Sequence, residues 1–180
     1  MSTIHHIAIA AVAVNLAGCS TMRVSTDYDA NANFSGPKTY DWQWGQPKRT
    51  GDPRIDNALL DKRIRRAVDD ELKAKGFVRD TSGAATYLVF YHAAISKELS
   101  VTQVNDYYGY HSSWRGGYVD VDSYDKGTIV LDIVEARSRQ MIWRAWAEDT
   151  IEEGRTPEQR EAKIREAVHK MLEHFPPATK

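Results

Sequence analysis

Apolar residues recur at about four-residue spacing in two segments of the chain, and this spacing predicts two amphipathic helices. We expect the first helix to begin at Asp52-Pro53, with Asp52 as its N-cap, and to end at Gly76. Its apolar stripe consists of Ile55, Leu59, Ile64, Val68 and Leu72. We expect the second helix to begin at the capping box Thr156-Pro157-Glu158-Gln159. Its apolar stripe consists of Ile164, Val168, Met171, Leu172 and Phe175.

The other face of the first predicted helix is charged. Opposite charges repeatedly stand four residues apart on it, a spacing that supports an exposed helix. This face consists of Asp61, Lys62, Arg65, Arg66, Asp69, Asp70 and Lys73. We expect it to be a solvated surface.

Strand-like segments precede and follow the first helix. Residues 24–29 and 38–44 predict two strands before it, and the nearly continuous apolar run 85–95 predicts a central strand after it. Since a central strand is buried on both faces, we expect His92 to be a core or edge histidine.

A hairpin is predicted near the end of the chain. Gly127–Val134 places Ile129, Leu131 and Ile133 on one face, and the polar residues 136–139 connect it to a strand at 141–148. Trp143 and Trp146 fall on opposite faces of that last strand. The order of elements predicts an α+β fold with two layers, a mostly antiparallel sheet and both helices packed on one of its faces.

The N-terminal segment carries a different pattern. The apolar stretch Ile7–Leu16 is shorter than the roughly 20 residues that span a bilayer and is typical of a secretory signal. The next residues, Leu16, Ala17, Gly18 and Cys19, resemble a bacterial lipobox, after which the chain is cleaved and the cysteine is lipidated. Cys19 is the only cysteine of the chain. The alternative is that residues 4–16 form a buried helix and Cys19 is an inert core residue.

The lipobox predicts how the chain is organised and where it is located. We expect residues 1–18 to be a signal peptide, 19–23 a lipidated N-terminus with a short tether, and 24–180 a single domain. Several acyl chains, such as palmitate, make the attachment effectively permanent. Because Ser20 follows the cysteine where Asp would retain the protein at the inner membrane, we expect an outer-membrane lipoprotein of the cell envelope that faces the periplasm.

Composition excludes some classes of partner. The 180 residues include 24 Lys+Arg and 25 Asp+Glu, which gives a net charge of −1. A chain near neutrality has no long-range field to attract nucleic acid, so we expect no nucleic-acid partner.

The segment 103–126, an insertion between two predicted strands, holds six of the 18 aromatic residues, mixed with Gly, Ser and Asn. This mixture supplies rigid amphipathic contact area with adaptable hydrogen bonding and is typical of recognition surfaces. We expect an envelope protein or a glycan to bind its aromatic side chains Tyr107, Tyr108, Tyr110, Trp114 and Tyr118. The alternative is that these side chains, with Tyr124, cover a face of the sheet.

The sequence indicates no catalytic or metal centre. No pair of histidines after Cys19 has the spacing of a zinc site, and the oxygen-rich segments 27–33 and 120–127 lack the closing acid of a calcium loop. We expect a solvated turn at 120–127, no metal, no cofactor and no enzymatic activity. Two alternatives stay open: a structural role in envelope integrity, and a hydrolase of envelope material that uses Asp120, Asp122 or His111.

Several landmarks occur together in one order along the chain. They are Asp27-Tyr28-Asp29, Asn33-Phe34-Ser35, Lys38–Trp42, Lys75-Gly76-Phe77, Thr86–Tyr91 and Gly127–Asp132. With the lipobox, they resemble the bacterial lipoprotein family of the domain of unknown function 4136. The resemblance implies a cell-envelope lipoprotein and supplies no catalytic residues.

Overall fold

The structure is a computed structural model that describes residues 22–43, 50–102 and 120–178. Six strands form one sheet, and two helices pack on one of its faces. In chain order the elements are β1 Arg23–Tyr28, β2 Thr39–Trp42, α1 Ala58–Ala74, β3 Val78–Arg79, β4 Tyr87–Thr102, β5 Asp120–Glu135, β6 Met141–Thr150 and α2 Pro157–Leu172. The predicted α+β fold is confirmed.

The sheet is mixed, with the strand order β1-β6-β5-β4-β2-β3. The pairings β1–β6, β6–β5 and β5–β4 are antiparallel, whereas β2 runs parallel to both β4 and β3. The two strands that precede α1 therefore lie on opposite sides of the β4–β5 hairpin. The two-residue β3 is absent from the sequence prediction.

The core lies between the sheet and the helices. Alternate residues of β4 and β5 point towards the helices, and the C-terminal two thirds of both predicted helix stripes cover them. The buried helix residues include Ile64, Val68, Leu72, Val168, Met171 and Leu172. At one end the space is filled by aromatic rings around Phe175, which contacts Trp143 at 5.2 Å and Phe77 at 5.5 Å between ring centroids.

Helix α1 begins later than its sequence predicts. The Asp56 N–H donates to the Asp52 carbonyl, which closes a separate turn, and the Asn57 side chain accepts from the Leu60 N–H at 2.9 Å. Asn57 is therefore the N-cap, and the prediction of a helix start at Asp52-Pro53 is wrong. The predicted capping box of α2, with Thr156 and Gln159 bonded reciprocally, is confirmed.

Strand β4 is buried on one face only. Tyr87, Val89 and Tyr91 point into the core, whereas Phe90 is half-buried and His92 is exposed on the opposite face. The prediction of a strand buried on both faces, with His92 as a core or edge histidine, is wrong, because both helices lie on one side of the sheet and no described element covers the other side.

The β5–β6 hairpin is confirmed, with its connection at 136–140 closed by a hydrogen bond from the Glu135 N–H to the Gln140 carbonyl. Strand β5 begins at Asp120, earlier than predicted, and its first residues pair with β4. Asp120, Asp122 and Asp125 therefore belong to a strand, and the prediction of a solvated turn there is wrong.

Candidate functional site

Apart from Asp120 and Asp122 at the start of β5, the residues that the sequence singles out for function lie outside the described residues. Cys19 and the preceding Leu16, Ala17 and Gly18 come before Met22, and the aromatic residues Tyr107, Tyr108, Tyr110, Trp114 and Tyr118 lie between Thr102 and Asp120, as does His111. The structure shows instead where these two segments join the domain. One joins at the start of β1, and the other joins the ends of β4 and β5.

Strands β4 and β5 extend together past the rest of the sheet. Strand β6 ends at Thr150, opposite Lys126, whereas β4 and β5 stay paired from Glu98↔Tyr124 to Thr102↔Asp120. At about 3.4 Å per residue this part projects by roughly 15 Å. We call residues 98–102 and 120–124 the arm, and its end carries the predicted recognition segment.

The inner side of α1 bonds to aromatic residues of the sheet. The Tyr40 hydroxyl and the Trp42 indole N–H both donate to Asp69 Oδ1, at 2.7 and 2.9 Å. Both aromatic residues are only 3% exposed. Asp69 therefore accepts the hydrogen bonds of two donors that lie in the core.

A second group lies one to two turns earlier on the same helix. The Tyr91 hydroxyl donates to Asp61 Oδ1 at 2.7 Å, and Arg65 Nε donates to the same atom at 2.8 Å. The Arg65 guanidinium lies over the Trp42 ring, 4.6 Å from its centroid. The prediction that this charged face is solvated is therefore wrong for Asp61, Arg65 and Asp69, which contact the sheet.

The two phenols of these groups are strongly held in their neutral form. Burial raises the pKa of Tyr40, and the hydrogen bond to the Asp69 carboxylate raises it further. Burial and the bond to Asp61 raise the pKa of Tyr91 in the same way. Since each phenol donates its proton to a carboxylate, these groups dock α1 on the sheet and provide no nucleophile.

The uncovered face of the sheet carries two buried carboxylates within the described residues. Asp41, on β2, is 5% exposed and accepts from Arg79 Nε at 3.1 Å. Asp132, on β5, is 6% exposed and accepts two hydrogen bonds from Arg144 on β6, at 2.6 and 2.7 Å. Trp146 lies half-buried on the same face, directly across from Val130. The prediction that Trp143 and Trp146 point to opposite faces is confirmed.

A cleft of about 800 Å³ opens between the sheet and the helices at the end opposite the Phe175 cluster. This volume is within the range of small-molecule sites, roughly 300–1,000 Å³. On the helix side its lining includes Ile55, Leu59, Leu60, Ile164 and Ala167. On the sheet side its lining includes Ala93, Ile95, Gly127, Ile129 and Ala147.

The cleft exists because small residues face each other across this end of the core. Ala147 and Ala167 line it where Trp143 and Phe175 fill the other end. Leu59, from the predicted apolar stripe of α1, is 63% exposed and lines this cleft. The sequence shows that Ala147 and Ala167 are small. It does not show a cavity, because that depends on which residues face them across the core.

Several charged residues of the lining are already engaged. Arg54 bonds to Asp52 and Asp125, and Lys163 bonds to Asp149 and Glu166. Bonds to both Asp52 and Asp125 raise the pKa of Arg54, and the bond to Arg54 lowers the pKa of Asp52. Arg155 bonds to Glu152 and Arg160 donates to the Arg155 carbonyl. The cleft therefore combines an apolar interior with largely compensated charges.

Within 22–43, 50–102 and 120–178, no three His, Cys, Asp or Glu side chains come together as a metal site. In the same part of the chain, no helix has the length and apolar character needed to cross a bilayer.

Comparison of the sequence with known families and proteins gives one match. The family described as "Domain of unknown function (DUF4136)" matches residues 24–177. No curated protein matches the sequence.

Solved structures align with this chain at low identity. A PDZ domain protein from Parabacteroides distasonis aligns with a TM-score of 0.55 at 12% identity, over 88% of this chain and 37% of that protein. The chain thus spans little more than a third of that protein's length. PelC from Paraburkholderia phytofirmans, a dodecamer, aligns with a TM-score of 0.46 at 14% identity, over 84% of this chain and 94% of that one. The alignment with the PDZ domain protein shows a shared fold alone.

Proposed function

The chain belongs to the family described as domain of unknown function 4136, and from this premise we propose that it is a non-enzymatic envelope lipoprotein that binds a partner. In this proposal Cys19 carries the lipid, the domain faces the periplasm from the outer membrane, and the aromatic segment at the end of the arm contacts an envelope protein or glycan.

The arm is the observation that carries the proposal. Its strands are fixed in the core by Tyr87–Tyr91 on β4 and by Leu131 and Ile133 on β5, all of which pair within the sheet. A two-stranded ribbon without further support is marginally stable in water. A ribbon that extends from a rigid sheet and carries Tyr107, Tyr108, Tyr110, Trp114 and Tyr118 is suited to presenting side chains to a partner.

The start of the domain supports attachment close to a bilayer. Strand β1 begins at Arg23 and is bonded along β6 from its first residue. The three residues from Cys19 to Met22 extend by at most about 10 Å. A lipid on Cys19 would therefore hold the domain close to the membrane surface.

The carboxylates described above support a binding role. Asp61, Asp69 and Asp132 each accept hydrogen bonds from a neighbouring side chain that links two elements of the fold. A carboxylate engaged in this way orients helix and strand and is a poor general base. We therefore propose no catalytic residue.

The partner-binding test uses the triple variant Tyr108→Ala, Tyr110→Ala and Trp114→Ala in the anchored protein. We expect it to lose cross-linking to envelope proteins and retention on isolated cell-wall glycan, with the thermal midpoint unchanged. The control is Tyr124→Ala, at the base of the arm, where the ring is 38% exposed. A large fall in thermal midpoint with the partners retained would show that the aromatic residues pack on the sheet instead.

The anchor is tested by intact mass. Protein from membranes of a Gram-negative host should lack residues 1–18 and carry lipid, and Cys19→Ala should abolish both changes. A full-length mass without lipid in the wild-type protein would refute the anchor.

A further inference from the structure

We propose that the cleft between the two helices and the sheet holds an acyl chain of the lipid on Cys19. This inference rests on the proposed lipidation and adds that the domain binds part of its own anchor. The occupant is a long-chain acyl group, and its source is the same polypeptide.

The chemistry of the walls identifies an apolar occupant. Leu59 and Ile55 continue the apolar stripe of α1 beyond the part that the sheet covers, and Ile164 does the same for α2. On the sheet side, Ala93 and Ala147 leave the space between the layers unfilled. Apolar surface that an acyl chain removes from water here stabilises the filled state.

The position of the N-terminus identifies the source of the acyl chain. Met22 lines the cleft, and it immediately precedes Arg23, which pairs with Glu148. Glu148 and Asp149 line the cleft as well, so the first described residues enter the domain at the cleft itself. Cys19 lies three residues before Met22, at most about 10 Å away. This distance is shorter than a long-chain acyl group.

The charges favour this lipid over one with an anionic headgroup. The Cys-linked diacylglycerol and its acyl chains carry no charge. Of the five cations in the lining, Arg54, Arg155 and Lys163 are bonded to carboxylates, so an anionic headgroup at these three would compete with ion pairs that already exist. Four carboxylates, among them Glu152 and Glu153, line the cleft as well and would repel an anion. A neutral chain can enter the cleft without displacing them.

Photo-cross-linking tests this inference in the lipidated full chain in its membrane. We would incorporate p-benzoyl-phenylalanine at Leu59, and as a control at Val78, a residue of β3 that does not line the cleft. The two positions are matched, since Leu59 is 63% and Val78 64% exposed. After irradiation and trypsin cleavage, we expect the peptide Ile55–Lys62 to be joined to the lipid of the peptide Cys19–Arg23, with no such product from the Val78 probe.

The possible results separate this inference from the proposed function. A lipidated Cys19–Arg23 peptide without a cross-link at Leu59, or with cross-links to bilayer phospholipid instead, would overturn the inference and leave the anchor intact. A Cys19–Arg23 peptide without lipid would overturn both.

A second measurement places p-benzoyl-phenylalanine at Ile55 and introduces a carboxylate at Leu59 in the lining of the cleft. Leu59→Glu should lower the yield of the Ile55 cross-link by about tenfold or more, because a bound acyl chain would desolvate the new carboxylate. Val78→Glu, with the same change of charge outside the cleft, should leave the yield unaltered. Equal yields in the two variants would contradict acyl binding in the cleft.

Discussion

Replacing Asp69 with alanine should destabilise the domain, because this single carboxylate serves two donors of the core. Asp69 Oδ1 accepts from the Tyr40 hydroxyl at 2.7 Å and from the Trp42 indole N–H at 2.9 Å, and both aromatic residues are 3% exposed. In Asp69→Ala both donors lose their acceptor. A buried donor without a partner costs about 1–3 kcal/mol.

The size of the fall in unfolding free energy depends on these two donors and on two smaller effects. Alanine is the better helix former, which returns roughly 0.5 kcal/mol. Asp69 is half-buried, so water reaches part of the vacated site and the lower half of the range applies. We expect the free energy of unfolding to fall by about 2–3 kcal/mol, on the basis of the cost per buried donor.

Urea unfolding followed by tryptophan fluorescence measures this change. The matched control is Asp70→Ala, on the adjacent, exposed position of the same helix, and it should stay within about 0.5 kcal/mol of wild type. In a double-mutant cycle, Tyr40→Phe should cost less in the Asp69→Ala background than alone. If Asp69→Ala and Asp70→Ala destabilise equally, the carboxylate does not hold α1 on the sheet and the reasoning is refuted.

Two further predictions concern stability. The unfolded chain releases the phenol protons of Tyr40 and Tyr91 at a pKa of about 10, whereas the raised pKa values keep them bound in the folded state. Stability should therefore fall above about pH 10, by up to about 1.4 kcal/mol per pH unit for each tyrosine. Urea unfolding at increasing pH should show a shallower fall in the Tyr40→Phe and Tyr91→Phe variants than in the wild-type protein. Because Leu72 is 1% exposed, Leu72→Ala should lower the free energy of unfolding by about 2–5 kcal/mol. Leu59→Ala should change the unfolding free energy little, and equal costs for the two leucines would contradict the open cleft.

The charged face of α1 shows why the sequence could not define the whole helix surface. Asp61, Arg65 and Asp69 follow the spacing of an exposed helix face, and Lys62 and Asp70 on the same face are exposed. Charges at this spacing form the same pattern whether water or aromatic donors lie beside them. Which of them contact the sheet depends on where β2 and β4 place their aromatic residues.

Some candidate sites could be predicted from the sequence, whereas others required the structure. The lipobox at Cys19 and the aromatic segment 103–126 are local motifs, so the sequence predicts both without a fold. The cleft required the structure, because it results from small residues on β4, β6 and α2 that are far apart in the chain. The exposure of His92 also required it, since the helices could have covered either face of the sheet.

The sequence by itself determined the features that depend on interactions over a few residues. These are the capping box at Thr156, the apolar stripes of both helices, the β5–β6 hairpin and the α+β class. Only the tertiary structure decided which strands pair, including the parallel pairing of β2 with β4, and where α1 begins. It also decided that protein side chains do not fill the cleft beside Leu59 and Ala147. The physical reason is that periodicity and capping follow from local backbone geometry, whereas pairing and cavities depend on the volumes and hydrogen bonds of residues distant in sequence.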